Sequence, residues 1–269
     1  GDRNEFLPTV HGFDEFFGIV GSSESYFSHR NTSGAMDLFE GDHPVEKDGY
    51  LTDLFTDRAI QFICRDRTRP FYISLHYNAP HWPWEGPGDR ATAMQTARAA
   101  AAGGSGEIFG EMMKSMDAGI GRVLQAVRDR GLERNTLIIF TSDNGGERYS
   151  SNWPFPFQKL YLWEGGIRVP AIVRWPGIVP PHRTTDQVAI TMDWTATILA
   201  LTGAKPDPAY PLDGVDLMRV CTGEQSAIER TIFWRNINYD AARMGHWKYL
   251  KENGDEHLFD LSKDPGEKF

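Results

Sequence analysis

"IIFTSDNGGERY", Ile138 to Tyr149, runs from a β-branched apolar stretch directly into an acid, an amide and two glycines. The apolar part reads as a buried strand, and the polar part as its abrupt end. Three readings fit that end. Asp-Asn-Gly is an ordinary turn sequence, because Asp and Asn bond their own backbone and Gly tolerates the dihedrals of a tight exit. Glycines can also cradle a phosphate. Finally, an adjacent carboxylate and carboxamide, Asp143 and Asn144, supply the hard oxygen donors that Ca²⁺ or Mg²⁺ prefers, whereas zinc would call for His or Cys. The phosphate reading is the weakest, since the chain has no Gly-x-x-x-x-Gly-Lys-Ser/Thr and no Gly-x-Gly-x-x-Gly opening a helix. A Gly-x-Ser-x-Gly nucleophile elbow is also missing.

Around this stretch, helical and strand periods alternate. "YLTDLFTDRAIQFICRDR" from Tyr50 places Leu51, Leu54, Phe55, Ala59, Phe62 and Ile63 at helical spacing, with Thr52 and Asp53 suited to a helix start. Phe71 to Tyr77 is a short apolar β-type run, followed by the proline-punctuated "NAPHWPWEGPGD". The Ala-rich "RATAMQTARAAAAGGSG" reads as a loosely held helix or an excursion. "GEIFGEMMKSMDAGIGRVLQAVRDRG" carries Ile108, Phe109, Met112, Met113, Met116, Ile120, Val123, Leu124 and Val127 on one face and stops at Gly131. A methionine row at that spacing is core filler. Beyond the quoted stretch come a strand in "VPAIVRWP" and a helix in "TMDWTATILALTG".

Alternation of this kind predicts an α/β fold, with a central, mostly parallel sheet covered by helices on both faces. After "PLDGVDL" the texture changes to short strands, "RTIFWRN", "ARMGHWKYLK" and "HLFDL", with turns at "NGD" and "KDPG". The expected division is therefore an α/β domain over residues 1–229 and a small antiparallel β subdomain over 230–269.

Composition limits the partners. The 269 residues are 40% hydrophobic and 24% charged, which is globular, and the formal net charge of −9 argues against nucleic acid. No run approaches the roughly 18 apolar residues of a membrane span, and the amino-terminal segment shows no basic-then-apolar secretory pattern. Cys64 and Cys221 are too few for a disulfide framework, and Cys64, on the apolar side of its helix, reads as a core thiol.

In sheets of this class functional groups gather beyond the carboxyl ends of strands. Two such ends are polar: His76, Asn78 and His81 after the first strand, Asp143 and Asn144 after the second. Lys159 follows Asp143 by sixteen positions in a loop rich in Trp, Phe and Pro. Trp82, Trp84 and Trp153 could either stack on a sugar or aryl ring or simply pack their loops.

The ordered set "NAPHWPW", "MDAGIGRVL", "TLIIFTSDNGG", "QKLYLWEGGIRVPAIVRWPG", "LDGVDL" and "GHWKYL...HLFDLSKDPGE" resembles the type I sulfatases, the arylsulfatase family of the alkaline phosphatase superfamily. The resemblance implies the alkaline phosphatase-like fold and hydrolysis of small-molecule or carbohydrate sulfate esters. It implies Asp143 and Asn144 as Ca²⁺ ligands. His81 would contact the sulfate and protonate the leaving alcohol, and Lys159 would bind a sulfate oxygen; Trp84 is a further candidate at the substrate. Glu164 and Arg168 are expected to hold the loop that presents Lys159. A periplasmic or secreted location is also implied.

The family's formylglycine, made from Cys or Ser in a Cys/Ser-x-Pro-x-Arg motif, has no counterpart here, and neither do its Asp-Asp pair and its Gly-Lys-Trp-His-Leu-Gly-like segment. The expectation is a sulfatase fragment with an incomplete Ca²⁺ site, inactive by itself. The competing functions are a phosphodiesterase or phosphonate monoester hydrolase of the same superfamily, or a non-catalytic ligand-binding module.

Overall fold

The computed structural model describes residues 4–93 and 103–268. The chain divides into two compact units, Gly1–Leu132 and Glu133–Phe269.

In the first unit, β1 (Phe17–Ile19), β2 (Leu38–Glu40) and β3 (His43–Pro44) form an antiparallel meander, and two long helices come after it, α1 (Leu51–Ile63) and α2 (Gly106–Asp129). Helix α1 buries Leu51, Phe55, Ala59 and Ile63, the stripe that the spacing predicts. Its start has no side-chain cap, but Asp53 in the first turn complements the helix dipole. Helix α2 is capped by Ser105, whose Oγ accepts the Ile108 N–H, and it is followed by Gly131 at φ 66°. Of its methionines Met112 is fully buried, Met116 packs at the core's margin, and Met113 faces water. Cys64 is exposed: the helix ends at Ile63, and the next residue turns its thiol outward, so it is not the core thiol the helical pattern suggested.

Phe71–Tyr77 is extended, with Ile73, Leu75 and Tyr77 packed inward and Tyr72, Ser74 and His76 exposed. The period of two is that of a strand, yet it has no ladder partner among the described residues. The Ala-rich segment expected as a helix or excursion falls largely at 94–102, outside the described residues.

In the second unit β4 (Ile138–Thr141) pairs antiparallel with β5 (Ala171–Arg174), Ile138 opposite Arg174 and Thr141 opposite Ala171. Between them lies the one-turn helix α3 (Glu164–Ile167), and after them come α4 (Met192–Thr202) and α5 (Met218–Thr222). Buried Asp193, in the first turn of α4, ties that helix to the chain on either side: its carboxylate accepts the N–H groups of Ile190 (2.8 Å) and Val215 (3.0 Å) and the Arg230 guanidinium (2.7 Å). Those bonds fix the "LDGVDL" segment, where a Cβ on Gly214 would stand 2.3 Å from the Met192 carbonyl oxygen.

Strands β6 (Thr231–Asn236), β7 (Tyr239–Met244), β8 (Trp247–Glu252) and β9 (Asp255–Asp260) form an antiparallel sheet in sequence order. Its tight turns use Gly245 at φ 57° and the Asn253-Gly254 pair, both at positive φ. The inner face, Ala241, Leu250 and Phe259, packs on Leu162 and Trp163. The sheet thus starts one residue after the expected subdomain boundary, inside a compact unit that starts at Glu133. All sheets among the described residues are antiparallel; the chain is α/β with a carboxy-terminal antiparallel sheet, and the parallel pairing expected of the central sheet does not occur among them.

Two features of the first unit can be tested by unfolding. Gly119 of α2 sits where a Cβ would come 2.5 Å from Thr56 Oγ1 of α1, an atom bonded to Tyr77 Oη at 2.8 Å. Gly119→Ala should cost about 1–3 kcal/mol in urea unfolding, and Thr56→Ala should recover part of that loss in the double variant. Elsewhere, Glu24 and Asp37 are buried together, the Gly21 N–H donates to Asp37 Oδ2 at 2.8 Å, and Glu24 Oε2 has no hydrogen-bond partner among the described residues. Burial first, and then the Asp37 carboxyl, push the Glu24 carboxyl up from 4.5 to about 7. An acid raised in the folded state stabilises below its unfolded value and loses that contribution as pH climbs through the folded one. Thermal unfolding should show Glu24→Gln raising Tm at pH 8 and leaving it nearly unchanged at pH 4.

Candidate functional site

The site residues expected from sequence fall in both units. His81, in the first, lies between two cis bonds, Ala79–Pro80 and Trp82–Pro83, and its ring stacks on Trp82 at 5.5 Å. The His81 N–H donates to the Asn78 carbonyl at 2.7 Å. Its ring Nδ1 lies 2.7 Å from the Trp82 carbonyl oxygen. A carbonyl only accepts, so Nδ1 carries the proton and Nε2 is the nitrogen left for chemistry. Nearby backbone is clamped: Tyr26 Oη donates to the His81 carbonyl at 3.0 Å, and buried Glu85 accepts the Tyr26 N–H at 2.8 Å. Trp84 is not at a ligand surface. Its indole is buried in the core with Tyr26, Leu38 and Met112, because the loop folds it inward against Gly104, so the packing reading replaces the stacking one. His76 is exposed, bonded to Ser74 Oγ at 2.7 Å.

Asp143, Asn144 and Lys159 belong to one loop system in the second unit. Strand β4 ends at Thr141, and Asp143 is exposed directly beyond it. Asn144 Nδ2 donates to Asp143 Oδ1 (3.3 Å) and to the Gly145 carbonyl (3.2 Å). With its nitrogen used inside the turn, the amide has its oxygen left to accept. A carboxylate and an amide oxygen side by side fit a hard cation such as Ca²⁺ in kind. In number they fall short: among the described residues no three His, Cys, Asp or Glu side chains gather as a metal site.

The glycines beside this pair have a role other than the turn dihedrals expected of them. None of Gly145, Gly146, Gly165 and Gly166 has a positive φ. What they need is the absence of a side chain: backbone approaches Gly145, Gly165 and Gly166 closely, and the Ser150 and Asn152 side chains approach Gly146. The Gly145 N–H donates to the Gly166 carbonyl at 2.8 Å, and a Cβ on Gly145 would lie 1.9 Å from the Gly165 oxygen. On Gly165 a Cβ would meet the Pro156 oxygen at 2.2 Å, and on Gly166 the Tyr161 oxygen at 2.0 Å. Gly146 then closes the loop. Its carbonyl accepts the Lys159 N–H at 3.0 Å and Asn152 Nδ2 at 3.1 Å, while its N–H donates to Asn152 Oδ1 at 2.9 Å.

Lys159 is thereby anchored through its own backbone to the turn that carries Asp143 and Asn144. The residues around it, Phe157 (φ 61°) and Leu160 (φ 80°), are in the left-handed region that side chains avoid, strain of the kind that clusters at functional sites. The ammonium group is 3.7 Å from Glu147 Oε2, a partly exposed pair of little energetic weight.

The loop is tied from behind by buried charge. Glu164, the first residue of α3, is 1% exposed, and its carboxylate meets Lys248 Nζ at 3.1 Å, Arg243 at 3.2 Å and Arg168 at 3.4 Å. The Glu164 N–H donates to Glu267 Oε2 at 2.6 Å, and Lys248 Nζ lies 2.7 Å from Glu267 Oε1. Burial pushes the Glu267 carboxyl up and Lys248 opposes the shift. Sequence reading found Glu164 and Arg168 but missed Lys248, Arg243, Glu267 and Asn152. A signal existed for Lys248: alternation in "GHWKYLK" puts it on the same face as buried Leu250.

The family model described as Sulfatase matches residues 2–204, and one described as N-sulphoglucosamine sulphohydrolase, C-terminal, matches 152–268. The chain belongs to the sulfatase family. It is 28% identical to N-acetylgalactosamine-6-sulfatase of Canis lupus familiaris, over 92% of this chain and 49% of that protein. With arylsulfatase J of Mus musculus it shares 30% identity, over 91% of this chain and 42% of the other. The chain thus spans about half the length of these relatives. Among solved structures, Ps i-CgsB in complex with k-i-k-neocarrahexaose matches with a TM-score of 0.87 and 28% identity, covering 100% of this chain and 64% of that one.

Removing Lys248 tests the buried tie. Lys248→Met leaves Glu164 and Glu267 without their shared buried cation and should destabilise the protein by about 3–5 kcal/mol in urea unfolding. Lowering the pH should restore part of that stability as the Glu267 carboxylate, which burial pushes up, takes up a proton; a cost below about 1 kcal/mol at pH 7 would mean that the cluster is not the tie.

Proposed function

We propose that the whole protein hydrolyses sulfate esters of carbohydrates. The observation that carries this reading is the Lys159 loop closed on the Asp143–Asn144 turn, which holds an ammonium group and two hard oxygen donors on one backbone framework, in a chain of the sulfatase family. Two names support the substrate class. The dog relative is an N-acetylgalactosamine-6-sulfatase, and Ps i-CgsB was solved with a neocarrahexaose. Sulfated polysaccharides are met outside the cytoplasm, so the proposed compartment is the periplasm or the medium. No helix among the described residues is long and apolar enough to cross a membrane.

Cleavage of the S–O bond builds negative charge on the departing oxygen, and a nearby acid or cation lowers that barrier. In this proposal His81 in its charged form donates from Nε2 to the leaving alcohol, since Nδ1 is committed to the Trp82 carbonyl. Lys159 binds a sulfate oxygen. Asp143 and Asn144 would hold a Ca²⁺ ion, which supplies charge neutralisation at the sulfate when bound. No step is assigned to a formylglycine, because no Cys/Ser-x-Pro-x-Arg motif occurs in this sequence. The alternation along Phe71–Tyr77, half-buried at every second residue and exposed between, supports its being a strand of a mostly parallel central sheet in the whole protein.

The test is turnover of paired sulfate and phosphate esters by the whole protein. His81→Ala and Lys159→Ala should each lower sulfate-ester kcat/KM by about 10²–10⁴, and the phosphate ester should be the poorer substrate. Unchanged turnover in both variants would remove the assignment, and faster phosphate hydrolysis would move the protein to phosphoester chemistry.

A further inference from the structure

Trp153 is 87% exposed, more than any other described aromatic side chain, and its ring makes no aromatic contact among the described residues. Trp163, a few positions on, shows what the same loop system does with an indole that serves the fold: it is buried, packs on Phe259 and donates Nε1–H to Glu252 at 3.1 Å.

Trp153 is not exposed because its backbone is loose. The preceding residue, Asn152, makes three side-chain hydrogen bonds, two with Gly146 and one with the Phe157 carbonyl at 3.0 Å. Its own carbonyl accepts the Phe155 N–H at 2.8 Å. The Gly146 oxygen that receives Asn152 Nδ2 also receives the Lys159 N–H. That shared acceptor keeps the Trp153 and Lys159 backbones within about 15 Å of each other, given a Cα spacing of about 3.8 Å. One hydrogen-bonded loop therefore carries an exposed indole and an ammonium group on backbones that lie within the span of a short oligosaccharide. Preorganisation matters, because a ligand that meets a ring on a held backbone has only the side-chain torsions left to order.

We propose that Trp153 is a sugar-stacking residue that takes a pyranose ring of a sulfated oligosaccharide whose sulfate is bound at Lys159, and so sets a preference for saccharide over small aryl sulfates. The chemistry is complementary on both counts: the C–H face of a pyranose is apolar and lies flat on an indole, and the sulfate is an anion facing a cation. This rests on the sulfate-ester reading of the Lys159 loop.

Isothermal titration of the full chain with a sulfated galactan hexasaccharide and, separately, with inorganic sulfate tests it. Trp153→Ala should weaken the hexasaccharide about tenfold, Trp153→Phe should retain most of its affinity, and sulfate should bind both variants within about twofold of the unmutated chain. Lys159→Ala should weaken both ligands. Unchanged hexasaccharide affinity in Trp153→Ala, or sulfate binding without hexasaccharide binding in the unmutated chain, would overturn the stacking role and leave the sulfate site standing. Lys159→Ala binding both ligands as before would instead overturn the sulfate-ester reading, and with it a stacking role tied to a bound sulfate.

Discussion

The second unit depends on four glycines, three of which let backbone touch backbone while the fourth, Gly146, makes room for Ser150 and Asn152. Gly145 and Gly146 follow the Asp143–Asn144 pair, Gly165 and Gly166 lie in α3, and a methyl group on any of them would stand 2.2 Å or less from a backbone oxygen or, at Gly146, from Ser150 Oγ. Carbonyl oxygens cannot rotate out of the way as a side chain can, so at Gly145, Gly165 and Gly166 the contact is all or nothing. Out of it come the Gly145–Gly166 hydrogen bond and the closed loop from Gly146 to Lys159. At the rim of that contact stand one acid, one amide and one ammonium group, Asp143, Asn144 and Lys159, and the Lys159 backbone is bonded to the turn that carries the other two.

Such a contact needs something to press it together, and the buried charges behind α3 do so. Lys248 and Glu267 reach Glu164 from β8 and from the last residues of the described chain, and Arg243 does so from β7. Ion clusters of this kind are poor sources of net stability, because desolvation offsets most of the attraction, but they are intolerant of partial removal. That intolerance suits a loop whose position matters more than its stability. The apolar layer of Leu162, Trp163, Leu250 and Phe259 supplies the favourable term, each fully buried aliphatic side chain contributing about 1.5–3 kcal/mol.

Much of this was legible in the sequence, and the reasons differ by element. Helices α1, α2 and α4 were readable because their cores and stops are local: a stripe at 3.6-residue spacing and, for α2 and α4, a glycine after the end. Three terminal strand segments were readable from alternation and from the Asn253-Gly254 turn, but "ARMGHWKYLK" holds parts of two strands, β7 and β8, which turn at Gly245. Pairing was not. Strand β4 meets β5 antiparallel, and Phe71–Tyr77 has strand alternation but no described partner, because register and neighbours are non-local and no period reports them. Trp84 and Cys64 show the limit for single residues. Each lies one step from a correct local assignment, and the direction of that step decides burial. Gly145 and Gly146 were noticed for the wrong reason, since sequence alone does not distinguish a glycine needed for its dihedral from one needed for its missing Cβ.

The Lys159 loop is held rigidly by the glycine contact and the Glu164 cluster acting together. Amide hydrogen exchange at Gly145, Lys159 and Gly165, read residue by residue by NMR, reports on that rigidity. All three amides should be protected by at least about a hundredfold, and Glu164→Gln should release them together. A Lys159 amide exchanging at the rate of an open loop in the unmutated protein, or one that stays protected when Gly145 and Gly165 are released, would show that the loop is not held in this way.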